Sequence, residues 1–163
     1  MIANLIGLFS QTYDATAGLI GNALLALSRN PQIDSTQVND LIAEVQRFDP
    51  PVQNTRRFVA APCEIDGVNL NPGDVILVLL ASANRDPQLN DDPDTFLLER
   101  PNRRSFTFGA GRHQCPGQVL ALSIARATLT QILMMKPALD RLTWHYRPSI
   151  NGRIPLFADL PNA

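Results

Sequence analysis

A cysteine in a glycine-rich segment directly before an apolar helix constrains this chain more than any other feature. The segment reads FGAGRHQCPG, from Phe108 to Gly117. At a helix start, unpaired backbone N–H groups and the helix dipole favour a thiolate over a thiol at Cys115. Gly109 and Gly111 allow a sharp turn and a close approach to a flat group. Such a cysteine is a nucleophile or a metal ligand; the alternative is an inert, buried cysteine beside a turn.

Apolar periodicity predicts three helices. Residues 2–27 carry apolar side chains at spacings of three and four, which indicates a long, mostly buried helix that ends before Pro31. A capping pattern at Asp34 predicts a second helix through Arg47. Residues 116–135 predict a third, amphipathic helix.

Between the helices, the sequence predicts strands and loops. Strand-like runs separated by turn residues predict one small sheet. A stretch rich in Asp, Asn, Pro and Arg is predicted to be a long ordered loop, or meander, and the tail to form short strands and turns. The strand-like runs cover 52–60, 64–70 and 75–80, the meander 84–107 and the tail 142–160.

Composition places the chain among soluble globular proteins. Its 163 residues are 45% hydrophobic and 18% charged, with a formal net charge of -1, so one hydrophobic core is expected. The near-neutral charge excludes nucleic acid as the expected partner. Cys63 and Cys115 match no disulfide or zinc pattern, which favours a reducing cytoplasm.

The apolar N-terminal stretch is not predicted to cross a membrane. Polar residues such as Gln11, Asp14 and Asn22 interrupt it, whereas a spanning helix needs about 20 apolar residues. No Lys or Arg precedes Arg29, so the basic region of a signal peptide is missing. We expect a cytoplasmic protein without a membrane partner.

The cysteine segment resembles the haem-binding loop of cytochromes P-450, F-x-x-G-x-(R/H)-x-C-x-G. The fixed positions are filled by Phe108, Gly111, His113, Cys115 and Gly117. The resemblance implies haem b as the cofactor, Cys115 as the iron ligand and His113 as the partner of a haem propionate. Phe108 and the three loop glycines would lie against the haem. In this family a thiolate on the iron favours O–O cleavage.

A second match is Glu44-x-x-Arg47, which resembles the E-x-x-R of the same family. Three residues apart on a helix, the two side chains share a face and can pair. On its own such a pair is commonly exposed and worth about 0 to 1 kcal/mol. The family adds an arginine from the meander, and Arg100 occupies the matching place. The resemblance implies a structural triad beneath the haem pocket.

Two adjacent arginines compete for one further role. Residues 49–53 and the arginines that follow resemble the family's turn and first strand, where one arginine reaches a haem propionate. Counting back from Glu64 favours Arg57, and counting forward from Arg47 allows Arg56. We prefer Arg57 and leave Arg56 open.

The first helix resembles the family's distal I helix but departs from its pattern. The family reads (A/G)-G-x-(D/E)-T, an acid and an alcohol that relay protons to dioxygen. Here Asp14 keeps the acid and Ala15 replaces the alcohol. Thr16 lies about 100° further around the helix, whereas Thr12 lies one turn before Ala15 and is the candidate hydroxyl. Thr12 bonded to its own backbone is an equal alternative.

The resemblance covers almost the whole chain. It implies that residues 1–163 are the haem-binding C-terminal part of a cytochrome P-450 fold, from the distal I helix to the C-terminus, with the family's N-terminal part absent. The fold class is therefore expected to be mainly α with small β-sheets (α+β). Most substrate contacts would lie in the absent part, so the sequence does not identify the substrate.

The sequence is compatible with three functions. The first is a monooxygenase acting on a small apolar substrate with electrons from a ferredoxin- or flavodoxin-type donor. The second is a truncated, inactive gene product, and the remote third is a haem-free metal-binding module that uses Cys63, His113 and Cys115. For the first, two interpretations of four arginines stay open: a docking face for an acidic donor, or a solvated basic rim. These residues are Arg103, Arg104, Arg112 and Arg126.

Overall fold

The computed structural model describes residues 2–158 and confirms a mainly helical chain with small β-sheets. The part of the predicted tail after residue 158 lies outside the described residues. The helices are α1 (Ile2–Arg29), α2 (Val38–Phe48), α3 (Leu80–Ala83) and α4 (Gln118–Met135). The strands are β1 (Thr55–Phe58), β2 (Cys63–Ile65), β3 (Val68–Leu70), β4 (Val75–Val78), β5 (Trp144–Tyr146) and β6 (Pro155–Phe157).

The core lies where α1, α2 and α4 meet. From α1, Leu19, Ala23 and Leu27 recur every four residues and are almost completely buried in it. From α4, Ala125 and Leu129 join the same core. The small residue at 125 lets the helices approach closely.

α1 packs into the core through its second half. Toward its start, a separate series of apolar side chains at spacings of four and three is 64–74% exposed. The prediction of a mostly buried helix is therefore wrong at these residues, because no other described part of the chain covers them. We call this surface the α1 stripe; it consists of Ile2, Ile6, Phe9 and Tyr13.

α4 has the length and the apolar composition of a membrane span, the one helix of residues 2–158 that does. One of its faces packs in the core through Ala121, Ala125 and Leu129. Its other side exposes Val119 and Met135. α4 therefore packs against α1 and α2 along one face, while most of its residues are not fully buried.

The predicted capping pattern before α2 is confirmed. The Asp34 carboxylate accepts from the Thr36 N–H at 2.7 Å, and the Gln37 side chain accepts from the Asp34 N–H at 3.3 Å. The first bond satisfies an N–H group of a 3₁₀ turn, Ser35–Gln37, rather than of the α-helix itself. α2 therefore begins at Val38.

The strands form three separate two-stranded antiparallel pairs, so the prediction of one sheet is wrong. β1 pairs with β4, β2 with β3, and β5 with β6. A turn at Asp66 and Gly67, both with positive φ, closes the β2–β3 hairpin. The predicted third strand also ends early, because Leu80 begins the one-turn helix α3.

Two buried asparagines order the meander. The Asn84 amide donates to the Gln46 carbonyl at 3.1 Å and its carbonyl accepts from the Phe106 N–H at 2.6 Å. The Asn90 amide donates to the Arg104 carbonyl at 3.1 Å. Side chains thus satisfy backbone groups that helices or strands would otherwise satisfy, and they fix the chain just before Phe108.

Candidate functional site

The cysteine loop is a tight turn that only glycine can make at one position. Gly109 has φ +71°, and a Cβ there would lie 2.6 Å from the carbonyl oxygen of His113. The Cys115 N–H donates to the Phe108 carbonyl at 2.7 Å, which folds the two ends of the loop together. Cys115 is half-buried and precedes α4 by three residues.

Cys115 opens into a cavity of about 490 Å³. α1 forms one wall, the cysteine loop another, and the segments around β1 and after β5 complete it. The apolar part of the lining includes Ala15, Leu19, Val52, Phe108 and Ile154. The polar part includes Gln11, Asp14, Asn54, Thr55, Thr107, Arg147, Ser149 and Asn151.

The residues present fit a haem. A half-buried thiol, a soft ligand suited to iron, lies on the same cavity as an aromatic ring, Phe108. Gly117 leaves 3.8 Å between the Cys115 Sγ and a Cβ built at residue 117, so the sulfur is not obstructed from that side. Cys115 would hold the iron, and Phe108 would lie against the macrocycle.

The strand geometry separates Arg57 from Arg56. β1 alternates, so that Thr55 and Arg57 share one face while Arg56 is exposed on the other. Thr55 lines the cavity, and its hydroxyl accepts from Arg57 Nη1 at 3.1 Å. Arg57 is thus on the cavity side of the strand.

His113 is exposed in a one-turn 3₁₀ helix, Gly111–His113. Among the described residues, neither His113, Arg57 nor the three loop glycines belongs to the cavity lining. They lie on the segments next to it.

On the α1 wall, Asp14 and Ala15 both line the cavity. The Asp14 carboxylate is held by Arg147, at 2.8 Å from Nη2 and 3.1 Å from Nη1. This hydrogen bond keeps the pKa of Asp14 below its ordinary value. Of the described residues, Gln11 rather than the half-buried Thr12 joins Ala15 on the lining.

The structure brings Glu44, Arg47 and Arg100 together. The side chains of Glu44 and Arg47 are completely buried, and Arg47 Nη2 lies 2.7 Å from Glu44 Oε1. Arg100 Nε donates to the same oxygen at 3.2 Å. Arg47 also donates to the meander carbonyls of Pro93 and Thr95, at 2.7 and 3.0 Å, so the ion pair fastens the meander to α2.

A third cation, Arg103, was missed by the sequence reasoning. Its Nε donates to Glu44 Oε2 at 2.9 Å and its side chain is 15% exposed. Including Arg103 in an exposed docking face is therefore wrong, since it faces inward, whereas Arg104, Arg112 and Arg126 are exposed. No feature of the sequence distinguishes Arg103 from Arg104.

Burial and hydrogen bonding oppose each other at Glu44. Burial alone would raise the pKa of its carboxyl, but hydrogen bonds from Arg47, the Leu97 N–H and Arg103 outweigh burial and hold the pKa below its usual range. Glu44 is therefore an anion that its partners fully compensate, as a buried charge requires.

A second polar cluster, also missed, joins the end of α2 to the last hairpin. Arg153 Nε lies 2.6 Å from Asp49 Oδ1, and the Tyr146 hydroxyl donates to Asp49 Oδ2 at 3.0 Å. Burial raises the pKa of Tyr146 to about 12, and the Asp49 carboxylate adds to the shift. The Asn22 amide on α1 donates to the Asp49 carbonyl at 2.8 Å, so the cluster ties the hairpin to α1.

The structure does not bring together Cys63, His113 and Cys115, the three residues of the proposed haem-free metal site. Cys63 is exposed on β2, away from the cavity lining. Residues 2–158 contain no group of three or more His, Cys, Asp or Glu side chains placed to hold a metal ion.

Comparison with known proteins identifies the family. The Cytochrome P450 family model matches residues 36–135. A protein of Xylella fastidiosa (strain 9a5c) described as putative cytochrome P450 133B2 is 36% identical over 171 residues, which cover 98% of this chain and 43% of that protein. The biotin biosynthesis cytochrome P450 of Bacillus subtilis (strain 168) is 33% identical over 149 residues, 86% of this chain and 38% of that one.

A solved structure agrees with these relatives. P450BioI, crystallised in complex with hexadec-9Z-enoic acid ligated acyl carrier protein, superposes with a TM-score of 0.78 at 29% identity, covering 88% of this chain and 40% of that one. The chain therefore belongs to the cytochrome P450 family. It spans less than half the length of these relatives.

Proposed function

We propose that this chain is the haem-binding C-terminal part of a haem-thiolate monooxygenase, with Cys115 as the ligand of the iron. The observation that carries the proposal is the position of Cys115, half-buried on a cavity that α1 and the cysteine loop enclose. Haem b, when bound, supplies the activation of dioxygen.

The other residues of the loop position the cofactor. Gly109 allows the turn that places Cys115, and Phe108 offers an aromatic wall; Gly111 and Gly117 keep the backbone without side chains beside it. His113 and Arg57 supply cations or donors for the two propionates. For Arg57, the shared face with Thr55 on β1 supports this role over Arg56.

The buried cluster around Glu44 serves structure rather than reaction. Arg47, Arg100 and Arg103 surround one carboxylate and fasten the meander to α2. Because the meander leads into Phe108, the cluster fixes the position of the chain where the cysteine loop begins.

For proton delivery we propose Asp14 as the acid on the α1 wall. Its carboxylate lines the cavity and holds or releases a proton there, under the control of Arg147. Thr12 remains the proposed hydroxyl, and Gln11, which does line the cavity one turn before Ala15, is the second candidate for holding a water.

Electrons would come from a ferredoxin- or flavodoxin-type donor in the cytoplasm. Arg104, Arg112 and Arg126 are exposed near the cysteine loop, and such cations attract an acidic partner. The apolar part of the cavity lining supports a small, largely apolar substrate.

An inactive gene product is the second candidate. The α1 stripe favours it, because four large apolar side chains exposed in a row are an unusual cost for an isolated soluble protein. A chain in this state would aggregate or hold haem weakly.

One experiment separates the candidates. Haem is added to the purified protein, which is then reduced under carbon monoxide, and the strongly red-shifted Soret band of thiolate ligation is sought. Cys115→Ser should abolish the band, and Cys63→Ser, at an exposed cysteine of β2, should leave it unchanged. Equal behaviour of the two variants would refute the assignment of Cys115, and a protein that takes up no haem would favour the inactive product.

A further inference from the structure

The cavity contains one ion pair that the positioning of haem does not require. Asp14 and Arg147 are the two charged side chains among the described residues that line it. They meet through two contacts, of 2.8 and 3.1 Å. Their side chains are 41% and 40% exposed, so both remain open to the cavity.

An ion pair of this exposure is readily exchanged. Pairs accessible to solvent contribute little to stability, so a competing anion can displace the carboxylate. A guanidinium binds any carboxylate through the same parallel N–H groups, and Arg147 already presents two of them to Asp14.

The surroundings of Arg147 define the rest of a ligand. Ser149 and Asn151 follow it on the same segment and line the cavity with polar groups, while the half-buried Ala15 and Val52 contribute apolar surface to the same space. A molecule with one carboxylate and an apolar body matches this distribution.

We propose that Arg147 is the specificity-determining residue for a carboxylate-bearing apolar substrate, which takes the place of Asp14 on its guanidinium. The exchange leaves Asp14 without its cation, so the carboxylate that was held ionised becomes able to take up a proton. Arrival of the substrate thereby prepares the acid on the α1 wall. The inference rests on the proposed function, since the substrate would be oxidised only at a haem held by Cys115.

The test is binding of decanoate and of decan-1-ol to the haem-loaded protein, measured by titration calorimetry. Arg147→Gln should weaken decanoate about tenfold or more, which is the effect of losing a hydrogen bond to a charged group. Asp14→Asn should tighten decanoate about two- to fivefold, because the competing carboxylate is gone. Neither change should alter the affinity for decan-1-ol.

Two further variants complete the experiment. Arg141→Gln removes an exposed cation outside the cavity lining and should change nothing. Arg147→Lys keeps the charge but loses the paired N–H groups and should give an intermediate affinity, which decides the matter if Arg147→Gln does not fold. Failure of Asp14→Asn to tighten decanoate, or equal affinities for acid and alcohol in the unaltered protein, would overturn the exchange.

Two other outcomes separate the possible causes of failure. If Arg147→Gln lowers the affinity for haem and leaves decanoate unaffected, Arg147 serves a haem propionate and the substrate proposal is wrong. The carbon monoxide spectrum is recorded on the same samples. A carboxylate preference without the red-shifted band would uphold Arg147 as the anion-binding residue and refute the thiolate chemistry, whereas the band without the preference would refute the role of Arg147 alone.

Discussion

Arg103 donates its Nε–H to Oε2 of Glu44 at 2.9 Å, an oxygen that Arg47 approaches only at 3.2 Å. Arg100 uses the other oxygen, Oε1. The completely buried carboxylate therefore depends on three cations, one from its own helix and two from the meander, and Arg103 gives the shortest bond to Oε2.

We expect Arg103→Ala to destabilise the protein by about 1–3 kcal/mol, because a buried carboxylate oxygen would lose its best donor. Arg104→Ala is the matched control: the side chain is exposed, and the effect should stay within about 0.5 kcal/mol. Urea unfolding monitored by circular dichroism measures both. Similar values for the two variants would mean that Arg47 and Arg100 suffice.

Gly109→Ala should cost more than Gly67→Ala, although both glycines have positive φ. At either position a side chain in this conformation costs about 1–2 kcal/mol. A Cβ at residue 67 meets nothing within 4 Å, whereas at residue 109 it would meet the His113 carbonyl at 2.6 Å. The free energies of unfolding compare the two, and the position of the Soret band reports whether Cys115 has moved. Equal costs would show that the loop relaxes freely.

Tyr146 should make stability depend on pH in the alkaline range. The folded protein, with a pKa of about 12, holds the phenol proton more tightly than the unfolded chain, in which tyrosine ionises near pH 10. The stabilisation is therefore fully present below pH 10 and is lost as the pH rises through about 12. Tyr146→Phe should remove this part of the pH dependence in urea unfolding. Tyr13→Phe, at a residue that is 74% exposed, should leave the profile as it is.

In a full-length homologue that carries this helix, Ala15→Thr should improve the coupling of electron consumption to product formation. Positioned proton transfer contributes a rate factor of about 10² to 10⁴, and Ala15 lines the cavity beside Asp14 without a hydroxyl. That homologue with alanine at this position should therefore release much of the reducing power as hydrogen peroxide. The ratio of product to reductant consumed measures the change.

Thr12→Val and Gln11→Leu distinguish the two candidates for holding a water near Ala15. Replacing the residue that holds the water should lower the ratio of product to reductant consumed, and replacing the other residue should not. Tight coupling that none of the three changes moves would place the proton route away from α1.

Sequence reasoning located the features whose cause is local. The cap at Asp34, the last residues of α1 and α2 to within two positions, and the turn at Asp66 depend on neighbours within a few residues, and they were predicted. The pairing of Glu44 with Arg47 is also local, since the two residues share one helical face. The resemblance to the family's motifs also predicted that Arg100, 56 residues after Glu44, joins this pair.

The features that were missed depend on packing. Arg103 and Arg104 are chemically identical neighbours, and only the path of the meander turns one inward. The division of the strands into three pairs is likewise not marked locally, since β1 pairs with β4 across the intervening β2 and β3. The ion pair of Asp14 with Arg147 joins residues 133 positions apart, and no local pattern marks it.

The two asparagines of the meander have a consequence for how the length of this segment can change. Loops without helices or strands commonly accept insertions and deletions. Here the Asn84 side chain is hydrogen-bonded both to the last turn of α2 and to residue 106, and the Asn90 side chain is hydrogen-bonded to residue 104. Adding or removing a single residue between Asn84 and Phe106 would move a carbonyl or N–H group away from one of these side chains and break the hydrogen bond. A segment that has the appearance of a surface loop is therefore as fixed in length as a strand in the middle of a sheet.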